Sequence, residues 1–204
     1  MNASHAQGCG CAAPLSPSGL GEFKVVAPGL RWLLEPLLEA DVPGVRRGAT
    51  PALTRSLVHT CSAERRTTWL TSEDLEHWAV SAEEAERAAD EGLDQVLEGL
   101  TWRPRPVARG NAFQLEGRTL FRASVLYAPS FVEQAGGRLG PHLFAVAPTP
   151  EKVIVFDDLH ALGTLGPELH RGWARAQERL SLEVLAHEGT PTAQWRVAGA
   201  LEAA

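Results

Sequence analysis

The sequence predicts an α+β fold, with a mixed or mainly antiparallel sheet packed against two or three longer helices and a flexible N-terminal tail. Three observations support this class: a capped amphipathic helical stretch at 71–100, a strand pair at 53–70 and an apolar strand pair at 142–157. Strands that follow each other closely pair as hairpins, and the helices then cover the sheet. With 204 residues, 44% of them hydrophobic, residues 21–204 are predicted to form a single domain.

The N-terminal 20 residues are predicted to be a disordered tail, because their Gly, Ser, Ala and Pro content buries too little apolar surface to offset the entropy of ordering. This tail contains three candidate metal ligands, His5, Cys9 and Cys11, since imidazole and thiolates suit Zn²⁺ or Cu⁺. Three ligands leave a four-coordinate site incomplete, and the remaining cysteine, Cys61, lies in a separate segment. We therefore predict no metal site there and no cofactor in the protein.

The composition excludes several function classes. No apolar run approaches the roughly 20 residues that span a bilayer, and the N-terminus lacks a signal peptide pattern, so a cytoplasmic protein without membrane association is expected. Three cysteines do not make a disulfide framework, which agrees with a reducing compartment. An isoelectric point near 5.7 without a clustered basic stripe argues against nucleic acid as a partner.

The first structural elements are strands and loops. Residues 23–27 are predicted to form a short strand that ends at Pro28, and the apolar residues of 30–38 are expected in the core. Residues 41–51 have the Gly and Pro content of a loop. The segments 53–60 and 66–70, rich in Val, Thr and Trp, predict a hairpin.

The stretch 71–100 has the strongest helix signals. Ser81 and Glu84 have the spacing of a capping box, which predicts a helix start at that point, and Gly99 is a stop signal. A shorter helix, Ser72 to Trp78, is expected to precede it with Thr71 as its cap. One stripe of the long helix is apolar and begins with small residues, so close approach to another backbone is expected; its members are Ala85, Ala88, Ala89, Gly92, Leu93, Val96 and Leu97.

The same 30 residues are strongly acidic. They contain ten acidic side chains and one arginine, a net charge of −9, whereas the whole chain carries −6, so the remaining residues sum to +3. The acidity is thus a local property of this helical pair. It is typical of a solvated outer face, and it is also a potential docking face for a basic protein partner. The residues chosen for that docking face are Glu83, Glu86, Asp90 and Asp94.

The middle of the chain contains an Arg-Pro segment and a second set of strands. Residues 102–110 alternate Arg and Pro and are predicted to be an extended, exposed linker between the two halves of the domain. Residues 112–116 and 118–127 are predicted to form a hairpin. A short helix is expected to follow through Gln134 and to end at the glycine pair 136–137.

The last third holds the predicted centre of the sheet. Residues 142–147 and 152–157 are strands separated by a proline-containing turn, and the run 153–156 is continuously apolar, as in a strand buried on both faces. A long helix is predicted to start at Pro167 and to extend past Val184, and an edge strand is expected near the C-terminus.

Asp157, Asp158 and His160 come directly after the apolar strand. Two carboxylates and an imidazole are able to bind a divalent ion or to act in acid–base catalysis, and loops after buried strands often carry such groups. Adjacent aspartates at a strand end also commonly cap a turn. These residues are therefore weak catalytic candidates.

The order of these elements resembles an uncharacterised bacterial family, domain of unknown function 1444. The residues that carry the resemblance are Leu75 to Trp78 with the helix start Ser81 to Glu84, and later the two apolar strands within Leu143 to Val155. It covers about residues 55–160 and excludes the tail and the Arg-Pro segment, and Gly92 stands where relatives tend to have Asn. The resemblance implies an α+β fold in a bacterial cytoplasm and transfers no active site.

Taken together, these patterns predict a non-enzymatic protein-interaction or regulatory module that uses the acidic helical face. The alternative is a metal-dependent hydrolase with its site at the end of strand 152–157. The sequence leaves the oligomeric state open.

Overall fold

A computed structural model of the protein describes residues 16–37, 44–61, 66–190 and 194–201. These residues form an α+β fold, as predicted, with two antiparallel sheets and helices packed on them. The proposed tail ligands His5, Cys9 and Cys11 lie outside the described residues, so their role stays a prediction.

The first sheet is built around one long central strand that is paired on both sides. The strands are β1 (Leu30–Pro36), β2 (Arg46–Gly48), β3 (Leu53–Cys61) and β4 (Arg66–Trp69). Strand β3 pairs with β1 along its length, and β2 and β4 pair with its two halves on the opposite side. The predicted hairpin of β3 and β4 is therefore confirmed.

The second sheet has six antiparallel strands in the order β10-β9-β7-β8-β6-β5. The strands are β5 (Thr101–Arg105), β6 (Ala112–Glu116), β7 (Leu143–Thr149), β8 (Lys152–Phe156), β9 (Glu183–His187) and β10 (Arg196–Ala200). Because β7 and β8 are the two central strands, the predicted centre of the sheet is confirmed, and β10 is the predicted edge strand.

Five α-helices accompany the sheets in the described part of the chain: α1 (Phe23–Val26), α2 (Ser72–Trp78), α3 (Ala82–Glu98), α4 (Phe131–Leu139) and α5 (Ala161–Arg175). The predicted cap of α2 is present, and Thr71 and Asp74 form a reciprocal capping box. At α3 only half of the predicted capping box is found: the Ser81 hydroxyl accepts from the Glu84 N–H, but the Glu84 carboxylate does not bond back. None of the described helices combines the length and the apolar character needed to cross a bilayer.

Helix α3 packs on β1 through its apolar stripe. Ala85, Ala89 and Leu93 are fully buried, and Gly92 touches the β1 backbone so closely that a Cβ atom there would collide with the Leu30 carbonyl oxygen. The close approach expected from the small residues is therefore found. It fixes α3 rigidly against the first sheet.

The central strands β7 and β8 of the second sheet are buried on both faces, as the apolar run predicts. Val153 and Val155 face a large core that also contains residues of the first sheet and of α3, whereas Ile154 and Phe156 face a smaller core under α5. Successive side chains of a strand point to opposite faces, which explains this division.

Several sequence predictions in the first half are wrong. Residues 23–26 are helical instead of extended, because Phe23 packs on the Trp78 ring at 5.8 Å between centroids and the Trp78 indole donates to the Gly21 carbonyl oxygen. Part of the predicted loop 41–51 is strand β2. Leu37, expected in the core, is 55% exposed.

The Arg-Pro segment is extended, but it is not a linker in its first half. Residues 101–105 form β5, an edge strand that pairs with β6. A proline is tolerated at Pro104 because an edge strand leaves one side of its backbone without sheet hydrogen bonds.

Residues 118–127 do not form the second strand of a hairpin. They form turns and a 3-10 helix, Ser124–Tyr127. The Ser124 hydroxyl accepts from the Leu34 N–H of β1 at 2.9 Å, so this segment crosses to the edge of the first sheet. That contact between segments 90 residues apart has no local sequence signal.

Two helix predictions fail at their boundaries. Helix α4 continues past the glycine pair and ends at Leu139, because burial of Leu139 extends the helix, and Gly140 follows it with φ +89°. Helix α5 begins at Ala161, with Pro167 inside it, and ends at Arg175. The expected continuation to Val184 is instead strand β9, which pairs with β7.

Candidate functional sites

Three of the four residues chosen for the acidic docking face are bonded within the chain. Glu86 forms an ion pair with Arg47, Asp90 accepts from the Trp32 indole at 3.0 Å, and Asp94 accepts from the backbone and hydroxyl of Ser130 at 2.9 and 2.7 Å. These contacts join α3 to the first sheet and to the start of α4. Of the four, only Glu83 is fully solvent-exposed.

The exposed acidity lies on the side of α3 that faces away from its buried stripe. We call Glu83, Glu84, Glu91 and Glu98 the outer ridge; all four are exposed, and they lie within a sector of about 100° of the helix. Among the described residues, none of these four carboxylates forms an ion pair or a side-chain hydrogen bond. The outer ridge is therefore the solvated part of the acidic face.

The two aspartates after β8 mainly bind the loop that precedes β6. Both oxygens of Asp157 accept from Asn111, through its backbone N–H at 2.7 Å and its side-chain amide at 2.9 Å. Asp158 is paired with the Arg109 guanidinium at 2.9 Å and with His160 Nδ1 at 2.7 Å. Hydrogen bonds from His160 and the charge of Arg109 hold the pKa of Asp158 below its ordinary value.

The hydrolase alternative requires Asp157, Asp158 and His160 to converge. Asp157 and Asp158 line a cleft of about 280 Å³ beside Arg109, whereas His160 is largely exposed and does not line it. Within the described ranges, no group of three or more His, Cys, Asp or Glu side chains is arranged to hold a metal ion. The geometry therefore offers no support for this alternative, which stays a prediction.

A second cleft lies between the two sheets and was not identified from the sequence. We call it the inter-sheet cleft; it measures about 360 Å³. Its walls come from β2 and β3, from the 3-10 helix and the start of α4, from the end of β9, and from Thr190, Gln194 and Trp195. The residues that line it are Gly48, Ala49, Arg55, Leu126, Tyr127, Ala128, Pro129, Val132, His187, Thr190, Gln194 and Trp195.

Arg55 is the only charged residue among those lining residues, apart from the titratable His187. Its guanidinium carbon lies 5.1 Å from the centre of the Trp32 ring and 4.9 Å from that of Tyr127, so two aromatic faces hold it. Within the described residues the Arg55 guanidinium makes no hydrogen bond or ion pair, and its Nε is sealed from solvent.

The Tyr127 hydroxyl is the second unsatisfied group of the inter-sheet cleft. It is buried and has no hydrogen-bond partner in the part of the chain that the structure describes. Burial raises the pKa of Tyr127 to about 12, with Glu183 adding to the effect and Arg55 opposing it. The phenol is therefore neutral at physiological pH and keeps its hydroxyl proton.

Two other polar side chains of the cleft, Trp195 and His187, are engaged, whereas Thr190 and Gln194 are exposed to solvent. The Trp195 indole donates to the Leu126 carbonyl oxygen at 2.7 Å, and His187 Nδ1 accepts from the Gly189 N–H at 2.9 Å. The Trp195 and His187 rings pack edge to face, 5.1 Å apart. These contacts fix one wall, so Arg55 and Tyr127 stand out as the groups without partners.

Two sequence signals were available for this cleft. Arg55 interrupts an otherwise mostly buried strand, and Tyr127 is the only tyrosine of the chain. Neither signal indicates that the two residues meet, because they are 72 positions apart and lie in different elements.

Comparisons with family models, with curated proteins and with solved structures find no match to this chain. The resemblance to domain of unknown function 1444 therefore stays a prediction.

Proposed function

We propose that this protein is a non-enzymatic protein-interaction or regulatory module whose outer ridge binds a basic surface of a protein partner. The observation that carries the proposal is the separation of charge on α3. Glu86, Asp90 and Asp94 are engaged within the chain, whereas the outer ridge keeps four exposed carboxylates around a single guanidinium, Arg87.

The outer ridge suits electrostatic recognition for two reasons. Helix α3 is anchored by its buried stripe and by the close contact at Gly92, so the carboxylates are presented on a rigid support. Each exposed ion pair contributes only about 0.2–1 kcal/mol, so several such pairs with a partner are needed to contribute substantially to the binding free energy. Such a surface mainly accelerates and orients association, and its effect falls as salt screens it.

The experiment is capture of binding partners from a lysate of the source cell. The ridge variant replaces Glu83, Glu84, Glu91 and Glu98 by Gln, which avoids the internally bonded carboxylates of α3. The matched control makes the same change at four exposed acidic residues elsewhere that have no ion pair in the described chain: Glu22, Glu133, Glu151 and Glu178.

The proposal predicts a protein retained by wild type and by the control variant at about 0.05 M salt, lost from the ridge variant, and released at about 0.5 M salt. Retention by the ridge variant contradicts the proposal. If the ridge variant and the control variant lose the partner equally, net charge alone explains the binding and the proposal is wrong. The proposal is also wrong if wild type retains no protein.

A further inference from the structure

The inter-sheet cleft contains two polar groups that the described chain leaves unsatisfied, Arg55 and the Tyr127 hydroxyl. A buried donor without an acceptor is costly, and native proteins rarely leave one without a reason. Both groups donate hydrogen bonds, so what they lack is an acceptor. The terminal nitrogens of Arg55 are also without a hydrogen bond in the described chain and are not sealed, so a ligand that brings oxygen acceptors reaches them directly, and it reaches the Tyr127 hydroxyl after a small side-chain shift.

We propose that the inter-sheet cleft binds the carboxylate of a small organic acid, with Arg55 and Tyr127 as the residues that hold it. A planar guanidinium matches the two oxygens of a carboxylate, and a phenolic hydroxyl adds a third donor. The stacking of Arg55 on Trp32 and Tyr127 orients the guanidinium before the ligand arrives, which lowers the entropy lost on binding.

The charges around the cleft favour a carboxylate over phosphate. Asp90 and Glu183 act electrostatically on Arg55 and Tyr127, although their own hydrogen bonds go to the Trp32 indole and to the Thr50 hydroxyl at 2.5 Å. Asp90 lies near the guanidinium and Glu183 near the phenol, so a ligand with a second negative charge would be repelled more strongly than a monoanion. A monoanion is the ligand that this arrangement accepts.

The remaining walls favour an organic acid with an apolar or aromatic body. Leu126, Pro129, Val132 and Trp195 supply apolar surface beside the donors. A volume of about 360 Å³ lies at the lower end of the range for small-molecule sites, roughly 300–1,000 Å³. The cleft therefore fits an acid of the size of benzoate or phenylacetate.

The test is calorimetric titration of the purified protein with acetate, benzoate and phenylacetate, and with benzamide and inorganic phosphate as comparisons. We expect saturable binding of an aromatic acid, with benzamide and phosphate at least about tenfold weaker because they lack the single carboxylate charge or carry too much charge. Absence of binding by all three acids overturns the proposal. Equal binding of benzamide or phosphate does so too.

Substitutions then locate the binding. Arg55→Gln is expected to weaken binding of the acid more than about tenfold, Arg55→Lys less, and Tyr127→Phe several-fold. The control Arg118→Gln makes the same chemical change at an exposed arginine outside this cleft and should leave the affinity unchanged. Wild-type affinity in Arg55→Gln overturns the proposal.

A blocking variant keeps the test valid if Arg55→Gln does not fold. Gly48 lines the cleft, its φ is not positive, and a Cβ atom there meets nothing within 4 Å. Gly48→Leu should fill the cleft, lower the affinity at least about tenfold and leave the melting temperature without ligand close to that of wild type. Unchanged affinity in this variant overturns the assignment of the site. The ridge variant should bind the acid normally, so this proposal and the proposed function can fail separately.

Discussion

The outer ridge and the inter-sheet cleft are both polar, but their groups are in opposite physical situations. The four ridge carboxylates are exposed and lack protein partners, and water satisfies them at little cost. Arg55 Nε and the Tyr127 hydroxyl also lack partners in the described chain, but they are buried, where an unmade hydrogen bond costs about 1–3 kcal/mol. The ridge therefore favours fast, salt-dependent docking, whereas the cleft favours a specific ligand.

The largest effect is expected on the buried side of the helix that carries the ridge. Leu93 is fully buried against the first sheet, so Leu93→Ala should lower the free energy of unfolding by about 3 kcal/mol through lost burial and a cavity. Glu91→Ala, two residues away on the ridge, should change it by less than about 0.5 kcal/mol. Urea unfolding monitored by circular dichroism measures both values. Similar losses would contradict the division of α3 into a packed stripe and a solvated ridge.

A second contrast lies within the acidic residues themselves, because Asp74 of α2 is completely buried. Its carboxylate accepts from the backbone and hydroxyl groups of Ser18 and Thr71 at 2.7 to 3.0 Å. Asp74→Ala leaves these donors without an acceptor. We therefore expect the free energy of unfolding, measured by equilibrium unfolding at neutral pH, to fall by about 2–3 kcal/mol.

The pH dependence of that loss has a defined sign. Burial alone would raise the pKa of Asp74, but the hydrogen bonds from Thr71 and Ser18 outweigh it and hold the pKa below its ordinary value of 3.8. A lowered folded-state pKa stabilises the fold at higher pH, and this stabilisation is lost as the pH falls below 3.8 through the folded-state pKa. The difference in free energy of unfolding between wild type and Asp74→Ala should therefore become smaller as the pH falls below 3.8. A difference that is constant with pH would show that the carboxylate charge is not involved.

The smallest effect is expected for the ridge variant itself. Replacing the four ridge glutamates by Gln lowers the negative charge of an acidic helix, but it also removes Glu83 and Glu84 from the first turn, where negative charge stabilises a helix. The two effects oppose each other, so the free energy of unfolding should stay within about 1 kcal/mol of that of wild type at low salt. Added salt should reduce any difference. Chemical unfolding at two salt concentrations tests this, and a clear loss of stability would mean that the ridge carboxylates have structural contacts.

The parts of the fold that could be predicted from sequence are those with local causes. The starts of α2 and α3 depend on the Thr71 and Ser81 side chains, which accept from backbone N–H groups three residues later, and the stop at Gly99 depends on its backbone N–H, which bonds back into the last turn. The hairpin β3–β4 and the central pair β7–β8 join segments close in sequence. The errors, at 23–27, 118–127 and beyond Pro167, occur where a tertiary contact decides the structure.

The candidate site was largely unpredictable for the same reason. The charge pattern identified the acidic helix, but it could not separate Glu86, Asp90 and Asp94, which meet partners from distant segments, from the exposed ridge. The inter-sheet cleft brings together residues of β3, the 3-10 helix and the chain after β9. Its unsatisfied donors exist only once those segments are assembled.

The most direct test of the central claim, that the inter-sheet cleft is built for a ligand and not for stability, is the free energy of unfolding of Tyr127→Phe without added ligand. The claim predicts a variant as stable as wild type or more stable by about 1 kcal/mol, because the change removes a buried hydroxyl that has no partner. A loss of about 1 kcal/mol or more would show that the hydroxyl already makes a stabilising bond in the folded chain, and the claim would be wrong.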